Sequence, residues 1–264
     1  MQAATVNGLR IHYELTGPAE GPALVLAHAL GVDLRIWDRL LPLLPAGLRV
    51  LRYDLRGHGL SDAPEGEYWM GDLVADAAGL IEATGCGGGV FLGLSIGGMV
   101  AQGLAAERPD LLRGAIFCCT AARIGTEQVW RDRMALVREK GVEALADATL
   151  ERWFSRAFRR DRAEELALWR NLLTRTPAAG YLGCCAALAE TDLRLSTAGL
   201  RLPVLMAAGT EDGSTPPDLV RETAESMAQA RFALIRGTGH MPPIERPEAL
   251  AALVEGFLRE ERLL

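Results

Sequence analysis

A serine flanked by glycines lies between an apolar run and a stretch with helical character, in the segment Gly-Leu-Ser-Ile-Gly at residues 93–97. Residues 90–94 are typical of a buried strand, and residues 96–107 of a helix that ends before Pro109. A strand, a sharp turn and a helix around the pattern G-x-S-x-G form a nucleophile elbow. Its glycines let the turn pass close to neighbouring backbone. The pattern therefore predicts that Ser95 is a catalytic nucleophile.

A serine hydroxyl needs a base to take its proton, and the chain has four histidines. His12 lies in an alternating strand pattern and is predicted to be a surface residue. His28 ends an apolar run and His58 lies in a turn-rich segment, so a structural role is predicted for both. His240 follows a strand-like run in a loop rich in glycine and proline, which could place an imidazole over the edge of a sheet. We therefore predict that His240 is the base.

A carboxylate must orient that imidazole, and one loop offers two neighbouring candidates, Glu211 and Asp212. The loop follows an apolar run at residues 203–208. We choose Asp212, with Glu211 as its competitor. The resulting order along the chain, serine, aspartate, histidine, differs from the orders found in the chymotrypsin and subtilisin classes of serine hydrolase.

Two backbone amides are expected to stabilise the negative charge that develops on an attacked carbonyl. One is the N–H of Ile96, the residue after the nucleophile. The other is the N–H of Leu30, in the loop that follows the apolar run at residues 24–27. The Leu30 side chain fits a core position equally well, and the two interpretations are compatible.

Six apolar runs alternate with helical stretches along the chain, which is the rhythm of a parallel sheet covered on both faces. The runs lie at residues 24–27, 49–53, 90–94, 114–118, 203–208 and 231–235. A hairpin around Asn7-Gly8 adds antiparallel edge strands. The rhythm breaks between residues 121 and 198, where the apolar spacing is helical throughout. The fold class predicted is α/β, with a mostly parallel sheet formed by residues 1–120 and 199–264 and a helical cap inserted at 121–198.

The cap is where we expect substrate specificity to reside. It holds 13 basic and 11 acidic side chains, against 15 and 23 in the rest of the chain, so an anionic substrate would need cap arginines to hold it. Arg133 follows Trp130 by one helical turn and could present a cation beside an aromatic wall, although a solvent-facing arginine fits the same pattern. Trp153 lies near the end of a cap element and is the third candidate for the pocket. Trp169, at helical spacing, is expected in the core.

Composition argues against several other functions. No apolar stretch is long enough for a membrane span and no secretory leader pattern opens the chain, so we expect no membrane partner. The net charge is −6, so we expect no nucleic-acid partner. The five cysteines show no C-x-x-C spacing and are expected to be free, buried and in a reducing compartment, the cytoplasm. The scattered histidines predict no metal site, and the chemistry above needs no cofactor.

The chain also resembles a known family. The run Arg-Tyr-Asp-Leu-Arg-Gly-His-Gly-Leu-Ser-Asp at 52–62 is similar to the signature that follows the fourth strand in the α/β-hydrolase superfamily. The segments at 93–99, 119–125, 152–154 and 192–194 resemble 3-oxoadipate enol-lactonases, and the resemblance covers essentially the whole chain. The chain departs from that family at 28–31, where members carry Asn-Ser-Leu-Gly, and at 241–243, where they carry Ser-Asn after the histidine.

The resemblance implies hydrolysis of a small lactone or ester by a serine triad, with the anionic 3-oxoadipate enol-lactone as substrate. A general carboxylesterase and a hydrolase of C–C bonds in ring-cleavage products remain alternatives, since the same triad serves both. A ligand receptor with a hydrolase fold is the alternative from a different class, and sustained turnover of an ester would exclude it.

Overall fold

The computed structural model describes all 264 residues and contains one eight-stranded sheet. The strands are β1 (Gln2–Val6), β2 (Leu9–Thr16), β3 (Ala23–Ala27), β4 (Arg49–Tyr53), β5 (Gly89–Leu94), β6 (Leu112–Cys118), β7 (Val204–Gly209) and β8 (Ala230–Ile235). Their order across the sheet is β1-β2-β4-β3-β5-β6-β7-β8. The pairs β1/β2 and β2/β4 are antiparallel, and every other pair is parallel.

Two kinds of local signal explain these strands. Every residue of β5 and of β7 is buried, because central parallel strands are covered on both faces, and this is why both strands are continuous apolar runs in the sequence. At the sheet edge, Asn7 and Gly8 have φ of 50° and 78° and connect Val6 to Leu9, which are directly paired. An Asn-Gly pair favours these left-handed conformations in a two-residue hairpin.

Eleven helices accompany the sheet. They are α1 (Met70–Thr84), α2 (Ile96–Glu107), α3 (Glu127–Lys140), α4 (Ala146–Trp153), α5 (Arg156–Asp161), α6 (Ala163–Thr174), α7 (Ala178–Glu190), α8 (Arg194–Ala198), α9 (Pro217–Glu225), α10 (Pro242–Glu245) and α11 (Pro247–Glu260). Helices α3 to α8 all lie between β6 and β7, and we refer to them as the cap helices. The division into core and cap at residues 121 and 198 stays a prediction.

Two further features bear on the sequence expectations. None of the eleven helices combines the length and apolar character needed to cross a membrane. All five cysteines are free and buried.

Candidate active site

Ser95 lies in the tight turn between β5 and α2, with φ of 57° and ψ of −117°. A non-glycine residue in this region is strained, and such strain is common where a side chain must be held in one position. The surrounding backbone fixes the turn, since the Ser95 N–H donates to the Cys118 carbonyl at 3.0 Å and the Thr120 hydroxyl donates to the Ser95 carbonyl at 2.7 Å. Ser95 is therefore held with its side chain at the carboxyl end of the sheet.

The two glycines of the elbow are required by close packing. A Cβ at Gly93 would lie 2.1 Å from the Gly97 carbonyl oxygen, and a Cβ at Gly97 would lie 2.4 Å from the Ala27 carbonyl oxygen. Both distances are far below van der Waals contact. Any side chain at these positions would displace the turn that carries Ser95.

Asp212 and His240 form a buried pair at the carboxyl ends of β7 and β8. The His240 Nδ1–H donates to Asp212 Oδ2 at 2.8 Å. Asp212 also accepts hydrogen bonds from the N–H groups of Ser214 and Thr215, at 2.7 and 2.9 Å, and from the Thr215 hydroxyl at 2.8 Å. Because Nδ1 carries the donated proton, Nε2 of the neutral imidazole is free to accept one. This is the arrangement that a general base for Ser95 requires.

The competing carboxylate, Glu211, points elsewhere. Its Oε2 atom accepts the N–H of Arg156, at the start of α5, at 3.1 Å. The structure thus brings His240 to Asp212, while Glu211 contacts the cap. The catalytic roles of Ser95, Asp212 and His240 stay predictions.

The two predicted oxyanion amides lie next to the elbow. Ile96 is the first residue of α2, so its N–H has no acceptor within the helix and lies at the positive end of the helix dipole. Leu30 and Ser95 line the same cavity. Both positions are compatible with donation to an oxyanion on a carbonyl attacked by Ser95.

Two buried imidazoles hold the loop that carries Leu30. The Gly31 N–H donates to His58 Nε2 at 2.9 Å, and the Leu55 N–H donates to His28 Nε2 at 2.9 Å. Burial lowers the pKa of both histidines, and it lowers that of His58 to about 3, with the nearby His28 adding to the effect. Both rings are therefore neutral acceptors for backbone N–H groups at neutral pH.

A cavity of about 270 Å³ opens beside Ser95 and His240. The three side chains predicted to bind substrate, Trp130, Arg133 and Trp153, all line it. Arg133 lies over the Trp130 ring at 5.0 Å, as their spacing of one helical turn predicts. The structure brings these candidates to one wall beside the serine, and their role in binding stays a prediction.

Sequence reasoning missed other polar residues of this cavity, among them Arg152 and Tyr181. The Arg133 guanidinium donates to the Tyr181 hydroxyl at 3.3 Å, and Arg152 donates to the Thr149 hydroxyl at 3.3 Å. Neither arginine forms an ion pair with a carboxylate. Burial and the neighbouring charge of Arg133 lower the pKa of Arg152. The sequence signals for Arg152 were its place directly before Trp153, at the end of α4, and its position in the segment 152–154 that resembles enol-lactonases.

Comparison with known proteins decides the family. Residues 24–253 match the alpha/beta hydrolase family. The chain belongs to that family. It is 32% identical to 3-oxoadipate enol-lactonase 2 of Acinetobacter baylyi, over 97% of this chain and 95% of that protein. It is also 32% identical to a pimeloyl-[acyl-carrier protein] methyl ester esterase of Aromatoleum aromaticum, over 90% of this chain and 98% of that protein.

A solved structure of the enol-lactonase from Burkholderia xenovorans LB400 is similar to this alpha/beta hydrolase with a TM-score of 0.94. The two chains are 38% identical, over 98% of this chain and 100% of the other. These findings confirm the predicted fold class and the predicted resemblance. They also support hydrolase activity for this chain.

One histidine of this alpha/beta hydrolase does not lie where the sequence suggested. His12 was predicted at the surface, and this prediction is wrong, because its side chain is buried and its Nδ1 atom lies 2.8 Å from Asp54 Oδ2. Asp54 in turn accepts the N–H groups of Leu34 and Leu60. The alternating strand pattern could not reveal this partner, which comes from the loop after β4.

One group of side chains has the types and spacing that could hold a metal ion. Atoms of Cys119, Asp212 and His240 all lie within 4.8 Å of one another. Asp212 Oδ2 and His240 Nδ1 are hydrogen-bonded to each other, so a metal ion there would take the place of the shared proton. The same two residues are those that the predicted hydrolytic chemistry uses.

Proposed function

We propose that this alpha/beta hydrolase is a serine hydrolase that opens a lactone ring, with 3-oxoadipate enol-lactone as its substrate. The observation that carries the proposal is the pair of guanidinium groups, Arg133 and Arg152, that line the cavity beside Ser95 without carboxylate partners. Both guanidinium groups are half-buried and lack a counter-charge, so an anionic group of a substrate would pair with them through charge-assisted hydrogen bonds. The similarity to enol-lactonases supports the same substrate class.

In the proposed first step, His240 removes the proton of the Ser95 hydroxyl as its oxygen attacks the lactone carbonyl. The resulting oxyanion accepts hydrogen bonds from the N–H groups of Ile96 and Leu30. Asp212 stabilises the imidazolium through the bond to Nδ1. The ring C–O bond then breaks, and His240 returns the proton to the enol oxygen that leaves.

In the second step, His240 activates a water molecule that attacks the acyl group on Ser95. The ester bond to Ser95 breaks and the carboxylate product is released, so the net reaction consumes one water molecule. The enol of the product becomes a ketone, which makes the opening irreversible. The reaction as proposed needs no cofactor, and the five free cysteines fit our placement of it in the reducing cytoplasm.

The proposal is tested by comparing two substrates on arginine variants. Arg133→Met should lower kcat/KM for the anionic enol-lactone by about 10- to 100-fold, the scale of a lost charge-assisted hydrogen bond of about 1.5–3 kcal/mol. Arg152→Met should act in the same direction. A neutral ester of similar size should lose little, because it offers the guanidinium groups no charge.

Arg138→Met is the matched control, since Arg138 lies on the same helix α3 and its side chain is 56% exposed away from the cavity. It should leave both substrates unaffected. Equal losses on both substrates for Arg133→Met would show a structural role for this residue. No loss for either cavity arginine would contradict an anionic substrate.

A general carboxylesterase is the second candidate. It is favoured by the similarity to the pimeloyl-[acyl-carrier protein] methyl ester esterase. Neutral methyl esters should then be turned over faster than the enol-lactone, and kcat/KM should not depend on the two arginines.

A further inference from the structure

Glu245 is a buried carboxylate five residues after His240, at the end of the short helix α10. Its Oε1 atom accepts the N–H of Gly239 at 2.7 Å and the hydroxyl of Thr238 at 3.1 Å. Its Oε2 atom accepts the N–H of Ser155 at 3.1 Å. One carboxylate thus satisfies three donors, and it forms no ion pair with a basic side chain.

These donors come from two separate parts of the chain. Thr238 and Gly239 directly precede His240, whereas Ser155 follows Trp153, the aromatic wall of the cavity, by two residues. The same two segments meet through their backbones, since the His240 N–H donates to the Trp153 carbonyl at 2.7 Å. They are packed so closely that a Cβ at Gly239 would lie 2.4 Å from that carbonyl oxygen.

Burial raises the pKa of the Glu245 carboxyl, and the hydrogen bonds from Ser155, Gly239 and Thr238 oppose that effect. Glu245 lines a second, smaller cavity of about 150 Å³, and the other charged side chains that line it are Asp161, Arg162 and Arg246. A buried carboxylate without a cationic partner is costly to keep. An apolar side chain of similar size would leave the three donors from Thr238, Gly239 and Ser155 without an acceptor, so the carboxylate is kept for the contacts it makes.

We propose that Glu245 is a positioning residue, whose carboxylate fixes the loop of His240 against the cap segment that carries Trp153. The inference rests on the proposed function in one respect, the role of His240 as the base. A base acts efficiently only when its nitrogen lies within about 2.6–3.2 Å of the oxygen whose proton it takes, and a displacement of about 1 Å can cost on the order of 10²-fold in rate. Glu245 would therefore control kcat through the position of His240, without touching the substrate.

The first test replaces the carboxylate. Glu245→Ala removes all three acceptors, and we expect kcat for p-nitrophenyl acetate to fall by about 10²-fold. Glu245→Gln keeps one acceptor oxygen but turns an NH₂ group toward a backbone N–H, so it should retain more activity than the alanine variant. In both variants the low-field proton signal of the His240 Nδ1–H should shift or broaden in NMR spectra.

The second test removes only the donor on the cap side. Ser155 has φ of −57°, and the preceding residue Phe154 has φ of −114° and ψ of 141°, so both conformations accept a proline at position 155. Ser155→Pro removes the N–H that Glu245 accepts, together with the hydroxyl that caps α5. Ser155→Ala removes the hydroxyl alone. We expect Ser155→Pro to have about tenfold lower kcat than Ser155→Ala. If Glu245→Ala does not fold, the comparison of these two Ser155 variants tests the proposal in its place.

Asp76→Asn provides a matched control for loss of stability, because Asp76 is a buried carboxylate of α1 that pairs with Arg56. It should lower the melting temperature while kcat and the His240 signal stay unchanged. Folded Glu245 variants with wild-type kcat and an unchanged signal would overturn the proposal, as would equal kcat for the two Ser155 variants. Activity in His240→Ala would instead contradict the proposed function, so the two failures are distinguishable.

Discussion

The buried imidazole of His58 predicts how acid should destabilise this hydrolase. His58 Nε2 accepts the Gly31 N–H, and its Nδ1–H donates to the Arg56 carbonyl oxygen with an Nδ1–O distance of 3.2 Å, so the ring is neutral in the folded protein. Its pKa is lowered from 6.5 to about 3, first by burial and then by the neighbouring His28. In the unfolded chain the same ring is protonated below about pH 6.5. Acidification therefore favours the unfolded state.

The size of the effect follows from the difference between the two pKa values. Because the folded pKa is depressed, the stabilisation is fully present above the unfolded pKa and is lost as the pH falls toward the folded one. Between about pH 8 and pH 5 the unfolded state gains most of one proton, which lowers the free energy of unfolding by about 2 kcal/mol. The lowered pKa of His28 adds a contribution of the same sign.

The assay measures the free energy of unfolding by urea titration at several pH values for the wild type and for His58→Gln. The glutamine oxygen can still accept the Gly31 N–H, but the side chain does not titrate. Subtracting the two curves removes the contributions of other groups. The stability advantage of the wild type should shrink by about 2 kcal/mol from pH 8 to pH 5. An advantage that stays constant within about 0.5 kcal/mol over this range would refute the reasoning.

Two further predictions concern the triad. Ser95→Ala should lower kcat by about 10⁴-fold or more, and it should not unfold the chain because the glycines set the turn. A folded variant whose kcat is within about tenfold of wild type would exclude Ser95 as the nucleophile. Asp212→Asn should lower kcat by about 10⁴-fold, since His240 loses its orienting carboxylate. Glu211→Gln should lower kcat only slightly, because the Glu211 carboxylate contacts the Arg156 N–H and not His240. The opposite ranking in steady-state kinetics would mean that the acid was wrongly assigned.

Local signals were sufficient to predict the elements that hold the candidate triad. The continuous apolar runs of β5 and β7 reflect strands buried on both faces, and α2 begins and ends at the predicted residues, Ile96 and Glu107. The glycines around Ser95 are readable in the sequence because close backbone contacts tolerate nothing else. Parallel strands end at one edge of a sheet, so the loops after β5, β7 and β8 meet there without any long-range information.

Contacts between elements could not be predicted in this way. The sequence pattern of β2 gave no sign that Asp54 would bury His12, since the aspartate follows a different strand. Likewise, nothing near Glu245 indicates that Ser155, 90 residues earlier, supplies one of its donors. Hydrogen-bond partners that are distant in sequence leave no periodic pattern in either segment.

The cap contains both kinds of feature, those that local sequence spacing predicts and those that depend on contacts between helices. Arg133 and Trp130 are one helical turn apart on α3, and their spacing alone predicted the contact that the structure contains. Arg152 and Tyr181 come from α4 and α7, and they join this wall only because the cap helices pack together. An anionic substrate would thus meet two positive charges, one from Arg133 on α3 and a second from Arg152 on α4. Periodicity can identify one side of a binding wall, but the number of charges in the cavity depends on helix packing.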